Sequence, residues 1–390
     1  MRSNINYKEL KRHVELDPRG AFVNIREGLE KGDIRPDEFS LRQLFESTVE
    51  DGREVLEILD PRRKGGGLDL LEAGAVDSGT FTNITGQIIF SKIKEAYENP
   101  EFLWTELVDQ QQTPFPYGER IPGVGPVGDK MARVGEMQDY PLAGVNEVYI
   151  DIPPTEKYGM IVPVSREAIV FDLTGRVMKE CSNLGYSHGL QLEKRVLNTV
   201  TGQSGYNTYK RNGVNTNTYL TSGAYINSGS NTLSDWTSIQ TAELLFDAMT
   251  DPSTGEPIML KAAALLVPSA LKRTANRIVM ASEVAHVDNQ ANASTVRTFS
   301  ENPMKGAFYG GPAYKVLSNA FVKSITTSAS TWFFGDFKSA FTRFYNWDME
   351  ITQAADNNSL KFNRDVWMQT KVSVRDVIGV MEPRYVTKNT

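Results

Sequence analysis

Gly185-Tyr186-Ser187-His188-Gly189 fits the pattern G-x-S-x-G, in which a serine on a strained strand-to-helix turn attacks a carbonyl carbon. That chemistry needs a strand to deliver the serine, a base aligned with its hydroxyl, and backbone N–H groups to hold the oxyanion. The surrounding residues offer none of them. Upstream, RVMKECSNL (Arg176 to Leu184) is polar at too many positions for a central strand, and Val177, Cys181, Leu184, His188, Leu192, Val196 and Val200 recur every three or four residues. This period predicts a long amphipathic helix with Ser187 and His188 in its middle. Neighbours on a helix point about 100° apart, so the histidine is poorly placed as a base for the serine. Gly185 and Gly189 cost such a helix about 1 kcal/mol each relative to alanine. Close approach of another element would explain that cost, and His188 then reads as a core or interface residue. A serine hydrolase using Ser187 is kept as an alternative to be tested.

A second pattern is G-x-G-x-x-G at Gly123, Gly125 and Gly128, with Glu147 near the distance of a ribose-binding acid. A dinucleotide site needs a buried strand entering the first glycine and a helix leaving the last. Here Pro114, Pro116 and Pro122 precede the pattern, Pro126 interrupts it, and Gly135 and Pro141 break any helix after it. These glycines read as bends of an exposed loop. The histidines, His13, His188 and His286, show no metal-ligand spacing, and the single cysteine, Cys181, rules out an internal disulfide or a thiolate zinc site. No catalytic residue, metal or cofactor is assigned.

The elements that would carry any site can be read from the remaining sequence. The chain has 390 residues, is 40% hydrophobic, and carries a formal net charge of -6. It can therefore bury one large core or two moderate ones, while its charge opposes sequence-specific binding to nucleic acid. The longest apolar run, Ala262 to Val267, is too short to span a bilayer. The N-terminus lacks an apolar h-region, so folding in a cytoplasm is expected.

Residues 1 to about 64 mix both signs of charge. Within them Ser40 can cap a helix whose stripe is Leu41, Leu44, Phe45, Val49, Val55, Leu56 and Leu59, followed by a hinge in DPRRKGGG. The basic triplet there reads as a charged helix end. From Leu68 to about Gln110 the chain turns apolar and aromatic, as where it joins a core. Thr113 to Gly144, rich in Pro and Gly, predicts a long protruding loop or open hairpin, and a strand follows around Val145, Glu147, Tyr149 and Asp151. Ser165 and Asp172 offer N-caps for the long helix, which runs to Gly202. Residues 203 to about 233 form a connector with room for a short hairpin. SIQTAELLFDAMTD predicts a helix, AAALLVP a buried strand, and SALKRTANRIVMAS a helix. Ser282 to about Gly311 reads as loop, Tyr314 to Val322 as extended. The aromatic C-terminal part reads as antiparallel strands packed on the long helix.

This order of parts resembles the major capsid proteins of tailed bacteriophages, the Hong Kong 97-type fold, over about residues 70 to 390. VPVSREAIVFDL and the long helix after it look like the family's spine helix. AAALLVPSALKRTANRI is similar to its central strand and helix, STWFFGDFKSAF to its aromatic-Gly-Asp strand end, and KVSVRDVIGVMEPRYV to its closing strands. The resemblance implies an α+β chain. Its N-terminal arm would be 1–75, the start of the peripheral domain 76–112, the extended loop 113–158, and the peripheral domain with the spine helix 159–235. The axial domain would be 236–326 and the peripheral sheet 327–390.

It further implies a structural protein whose copies form hexamers and pentamers of an icosahedral shell in the virion, assembled in the host bacterial cytoplasm. The shell would enclose double-stranded DNA without sequence-specific binding or contact with a membrane. Its partners would be scaffolding, portal and decoration proteins, with a retained arm and a separate scaffold. On this reading Arg120, Lys130, Arg133 and Glu136 of the loop contact a neighbouring subunit. Some relatives cross-link a loop lysine; Lys130 and Lys157 are loop lysines here, but no partner asparagine maps onto this sequence. An encapsulin-like protein compartment is the alternative reading, against which the long charged arm argues.

Overall fold

The structure is a computed structural model and describes residues 92–124, 134, 147–165, 176–223, 225–250, 255, 257–289, 295–302, 304, 314–353 and 366–390. The predicted arm helix, the DPRRKGGG hinge and Asp172 lie outside the described residues, as do Lys130, Arg133 and Glu136.

After a helical run at 92–97 come α1 (Trp104–Leu107), β1 (Asp109–Gln112), β2 (Glu119–Val124), β3 (Glu147–Ile152) and β4 (Glu156–Ser165). The long helix α2 spans Arg176–Val200, followed by β5 (Thr208–Arg211), β6 (Val214–Asn217), β7 (Ser228–Gly229) and α3 (Trp236–Asp247). Then come β8 (Ala264–Pro268), α4 (Lys272–Met280), β9 (Glu283–Asn289), β10 (Thr295–Glu301), β11 (Lys315–Asn319) and α5 (Ala320–Thr326). The chain closes with β12 (Trp332–Gly335), α6 (Phe337–Ala340), β13 (Phe341–Gln353), β14 (Val366–Val380) and β15 (Val386–Asn389).

The described residues divide into two compact units. One holds 92–102, 157–165, 176–191, 347–353 and 366–374; the other holds the remainder of 103–156, 192–346 and 375–390. In the second unit, a mixed five-stranded sheet runs in the order β11-β8-β12-β15-β7. Every residue of its interior strand β8, ALLVP, is buried, as expected of a strand covered on both faces. Leu265 and Val267 of β8, Trp332 and Phe334 of β12, Ile239 and Phe246 of α3, and Ile278 of α4 share one apolar core. Short polar side chains start the helices: Asp235 accepts from Thr237 N, and Asn319 from Phe321 N, which satisfies otherwise orphaned donors. A second, antiparallel sheet has the order β2-β3-β5-β6. The strands β1, β13, β14 and β4 make a third, in that order, with β1 parallel to β13.

Most predicted elements are present, and four readings need correction. Residues read as loop between Ser282 and Gly311 include the antiparallel pair β9–β10; the many Asn, Ser and Thr of this stretch read as turn residues. The extended reading of Tyr314–Val322 holds only to Asn319, whose side chain caps α5. Ser165 ends β4 and so does not cap the long helix. The C-terminal strands are not purely antiparallel, since β1–β13 and β15–β7 pair parallel. Those parallel partners lie more than 150 residues away in sequence, beyond the reach of local pattern.

Candidate functional site

Ser187 and His188 lie in the middle of α2. Ser187 is exposed, and the His188 ring stacks on Tyr97 with centroids 5.5 Å apart. A Cβ on Gly185 would overlap the carbonyl oxygen of Ile93, with the carbonyl carbon at 2.9 Å and Cα at 3.0 Å; one on Gly189 would overlap the Phe102 ring and lie 3.1 Å from the Tyr97 carbonyl oxygen. The two glycines thus let residues 93–102 lie directly on the helix, the close approach that their cost in helix stability required. The G-x-S-x-G spacing comes from packing. An open cavity of about 350 Å³ borders Ser187, His188 and Gln191 with Lys157, Met160 and Val372, and among the described residues no carboxylate lines it. Serine and histidine diverge on one helix, so His188 is not oriented toward Ser187 as a base. Ser187→Ala should leave folding and function unchanged, and a fluorophosphonate probe should not label the wild type above background; specific labelling of Ser187 would reinstate a nucleophile.

The second glycine pattern starts inside a ladder. Gly123 pairs with Val148 and Val124 with Glu147 in β2–β3, an antiparallel pairing where a dinucleotide site has a parallel βαβ unit; Gly125 and Gly128 lie outside the described residues.

Of the four residues expected at a subunit contact, Arg120 is described. It sits opposite Asp151 in the β2–β3 register. Its Nε donates to Asp151 Oδ1 at 2.9 Å, and its guanidinium lies 4.8 Å from the centre of the Tyr149 ring. Lys210 of β5 faces the same carboxylate at 3.7 Å. Arg120 therefore has an intramolecular partner, yet its side chain is 69% exposed and that of Lys210 50%. Two cations on one carboxylate leave this corner of the sheet with an excess positive charge. Lys157, the other loop lysine, belongs to β4, with Nζ 5.8 Å from the Trp347 ring centre.

The ionic groups that sequence reading missed are buried or half-buried. Asp376 of β14 accepts from Arg343 Nε of β13 at 2.7 Å and from Arg195 Nη1 of α2 at 2.6 Å, and the Asp376 and Arg343 side chains are fully buried. Glu193 of α2 accepts from the backbone N–H groups of Leu103 and Trp104 at 3.0 and 2.8 Å and from Asn319 Nδ2 at 2.7 Å. Burial pushes its carboxyl above the usual carboxylate range, and the three donors pull it partly back. Lys388 lies over Tyr219 and Phe333 and donates to the carbonyl oxygen of Thr201 just past α2, and burial lowers its ammonium pKa. These groups join α2 to the strands around it. Glu193, Arg343 and Asp376 are buried and closed off from any substrate. Among the described residues, no group of three His, Cys, Asp or Glu is placed to hold a metal, and no helix is long and apolar enough to cross a membrane.

The model of a family described as phage capsid protein matches residues 151–389, more than half of the chain. The chain belongs to this phage capsid protein family. The α+β reading and the capsid resemblance drawn from the sequence are both borne out. The capsid protein is a structural protein of the virion shell, and not an enzyme. No curated protein matches it. Among solved structures it is similar to the capsid of cyanophage P-SCSP1u, at 13% identity over 74% of this chain and 87% of that one, with a TM-score of 0.44. It is also similar to the Gordonia phage Cozz structure, at 12% over 74% and 85%, TM-score 0.43, and to a virus-like particle from Pyrococcus furiosus, at 9% over 77% and 98%, TM-score 0.41. The assignment of the capsid protein to its family rests on the sequence match.

Proposed function

We propose that this capsid protein is organised as a Hong Kong 97-type subunit: an arm at 1–75, a peripheral domain beginning at 76–112, an extended loop at 113–158, the spine-helix part at 159–235, an axial domain at 236–326 and a peripheral sheet at 327–390. Copies form hexamers and pentamers of a closed shell around the double-stranded DNA of a tailed phage. Assembly takes place in the host bacterial cytoplasm, with scaffolding, portal and decoration proteins as partners. The observation that supports this most is the β2–β3 hairpin. Its stem is paired over six residues on each strand, and the sequence between the strands carries Lys130, Arg133 and Glu136 with few large apolar residues, so it offers charges rather than a core of its own. The net charge of -6 suits a container, because a basic lining would hold packaged DNA by counterion release.

An exposed charge pair contributes about 0.2–1 kcal/mol, and a closed shell repeats that contribution at every subunit. The double replacement Lys130→Glu/Arg133→Glu should leave the melting of isolated subunits unchanged and lower the salt and temperature tolerance of assembled particles. Loss of subunit stability with unaffected particles would show that the loop serves its own chain instead. Nuclease-protected DNA in purified particles separates this reading from a compartment that encloses protein.

A further inference from the structure

We propose that Asn212–Gly213 is a modification site, where spontaneous deamidation to isoaspartate releases the β5–β6 hairpin from β3. Asn-Gly is the pair most open to this reaction, because glycine carries no side chain to hinder attack by its own amide nitrogen, and this is the one such pair in the chain. It forms the two-residue loop between Arg211 and Val214, which pair with each other across the hairpin. Asn212 has φ +49° and Gly213 φ +79°, the left-handed pair that a tight hairpin turn demands. Both residues are exposed.

Asn212 does more than turn the chain. The ladder between β5 and β3 covers Ile150 with Arg211 and Asp151 with Lys210. Asn212 extends it by one residue: its N–H donates to the Tyr149 carbonyl oxygen, and its Oδ1 accepts from Tyr149 N, both at 2.9 Å. The side-chain oxygen stands in for the backbone carbonyl that a longer strand would offer. The same amide that closes the ladder is therefore the electrophile of the reaction.

The chemistry needs only water. Gly213 N attacks Asn212 Cγ; the N–Cγ bond forms, the Cγ–Nδ2 bond breaks, and the Gly213 amide proton leaves with the ammonia. Water then opens the succinimide ring. Hydrolysis at Cγ gives aspartate, whose carboxylate still accepts from Tyr149 N. Hydrolysis at the backbone carbonyl gives isoaspartate, which routes the main chain through Cγ and lengthens it by a methylene. A two-residue loop of this type is matched to the twist of its strands, so the longer backbone loses both bonds to Tyr149. While Tyr149 N holds Oδ1, the reaction waits for local opening of this contact, and its rate follows the open population.

Peptide mapping by mass spectrometry, with isoaspartate read by methyltransferase labelling, follows the wild-type protein during storage at mildly alkaline pH. Asn212 should convert before the other described asparagines, and about tenfold more slowly in the folded protein than in denaturant. An unmodified Asn212, or another described asparagine converting first, overturns the site; equal rates in the two conditions overturn its control by Tyr149. Hydrogen exchange of the Tyr149 amide should be about tenfold faster in the isoaspartate-containing fraction and unchanged in Asn212→Asp, which keeps the acceptor and the normal backbone. Unchanged exchange in the isoaspartate fraction overturns the release of the hairpin. Equally fast exchange in Asn212→Asp also overturns it, since charge would then free the hairpin without a rerouted backbone.

Discussion

Replacing Asp376 by Ala is expected to destabilise the subunit by about 3–5 kcal/mol, because it strips two guanidiniums of the carboxylate they share in a buried setting. Arg343 lies with its charge between the rings of Trp104 and Tyr345, 5.5 and 5.6 Å from their centres, and is fully enclosed. Neither movement nor water can readily replace Asp376 there. Arg195 brings α2 into the same cluster, so the loss should loosen the contact of that helix with β14. Urea unfolding of the purified subunit measures the effect. The triple change Arg195→Met/Arg343→Met/Asp376→Leu should recover most of it, because a buried ionic cluster replaced whole by apolar side chains is often neutral. If Asp376→Ala costs under about 1 kcal/mol, the cluster is an ordinary surface pair and does not hold the helix.

Gly335→Ala should cost about 3 kcal/mol or more, from overpacking and backbone strain together. Gly335 has φ +153°, and a Cβ there would overlap the Tyr385 carbonyl oxygen and stand 2.8 Å from Val386 Cα. Both obstacles are backbone, and Val386 is in register with Gly335 across β12–β15, so neither can swing aside. Gly229→Ala is the control. Nothing lies within 4 Å of the Cβ it would add, and its effect should stay within about 0.5 kcal/mol. Equal behaviour of the two variants in thermal melting would show that β12 and β15 are not packed this closely.

These two sites mark what the sequence does and does not reveal. The helix at 176–200 was legible because Leu184, His188, Leu192 and Val196 repeat at helical spacing, and AAALLVP because a short apolar run leaves little choice but burial. Gly185 and Gly189 were informative since a helix tolerates them only for a reason, and residues 93–102 are that reason. Asp376 was silent. In KVSVRDVIGV it reads as one more polar residue on an alternating strand, and only the fold brings Arg343 and Arg195 to it, 33 and 181 residues away. Arg120 was read as a loop charge facing a neighbouring subunit, whereas it lies exposed in β2 and pairs with Asp151, which was assigned only to a strand pattern.

The most direct measurement is negative-stain electron microscopy of the purified full-length protein, with gel filtration in parallel. Closed shells, or the rings of subunits from which shells are built, are the result expected of a capsid protein that carries its contact surfaces on its own chain. A population that stays monomeric at every concentration and salt, and remains so when the other structural proteins of its phage are supplied, would contradict it.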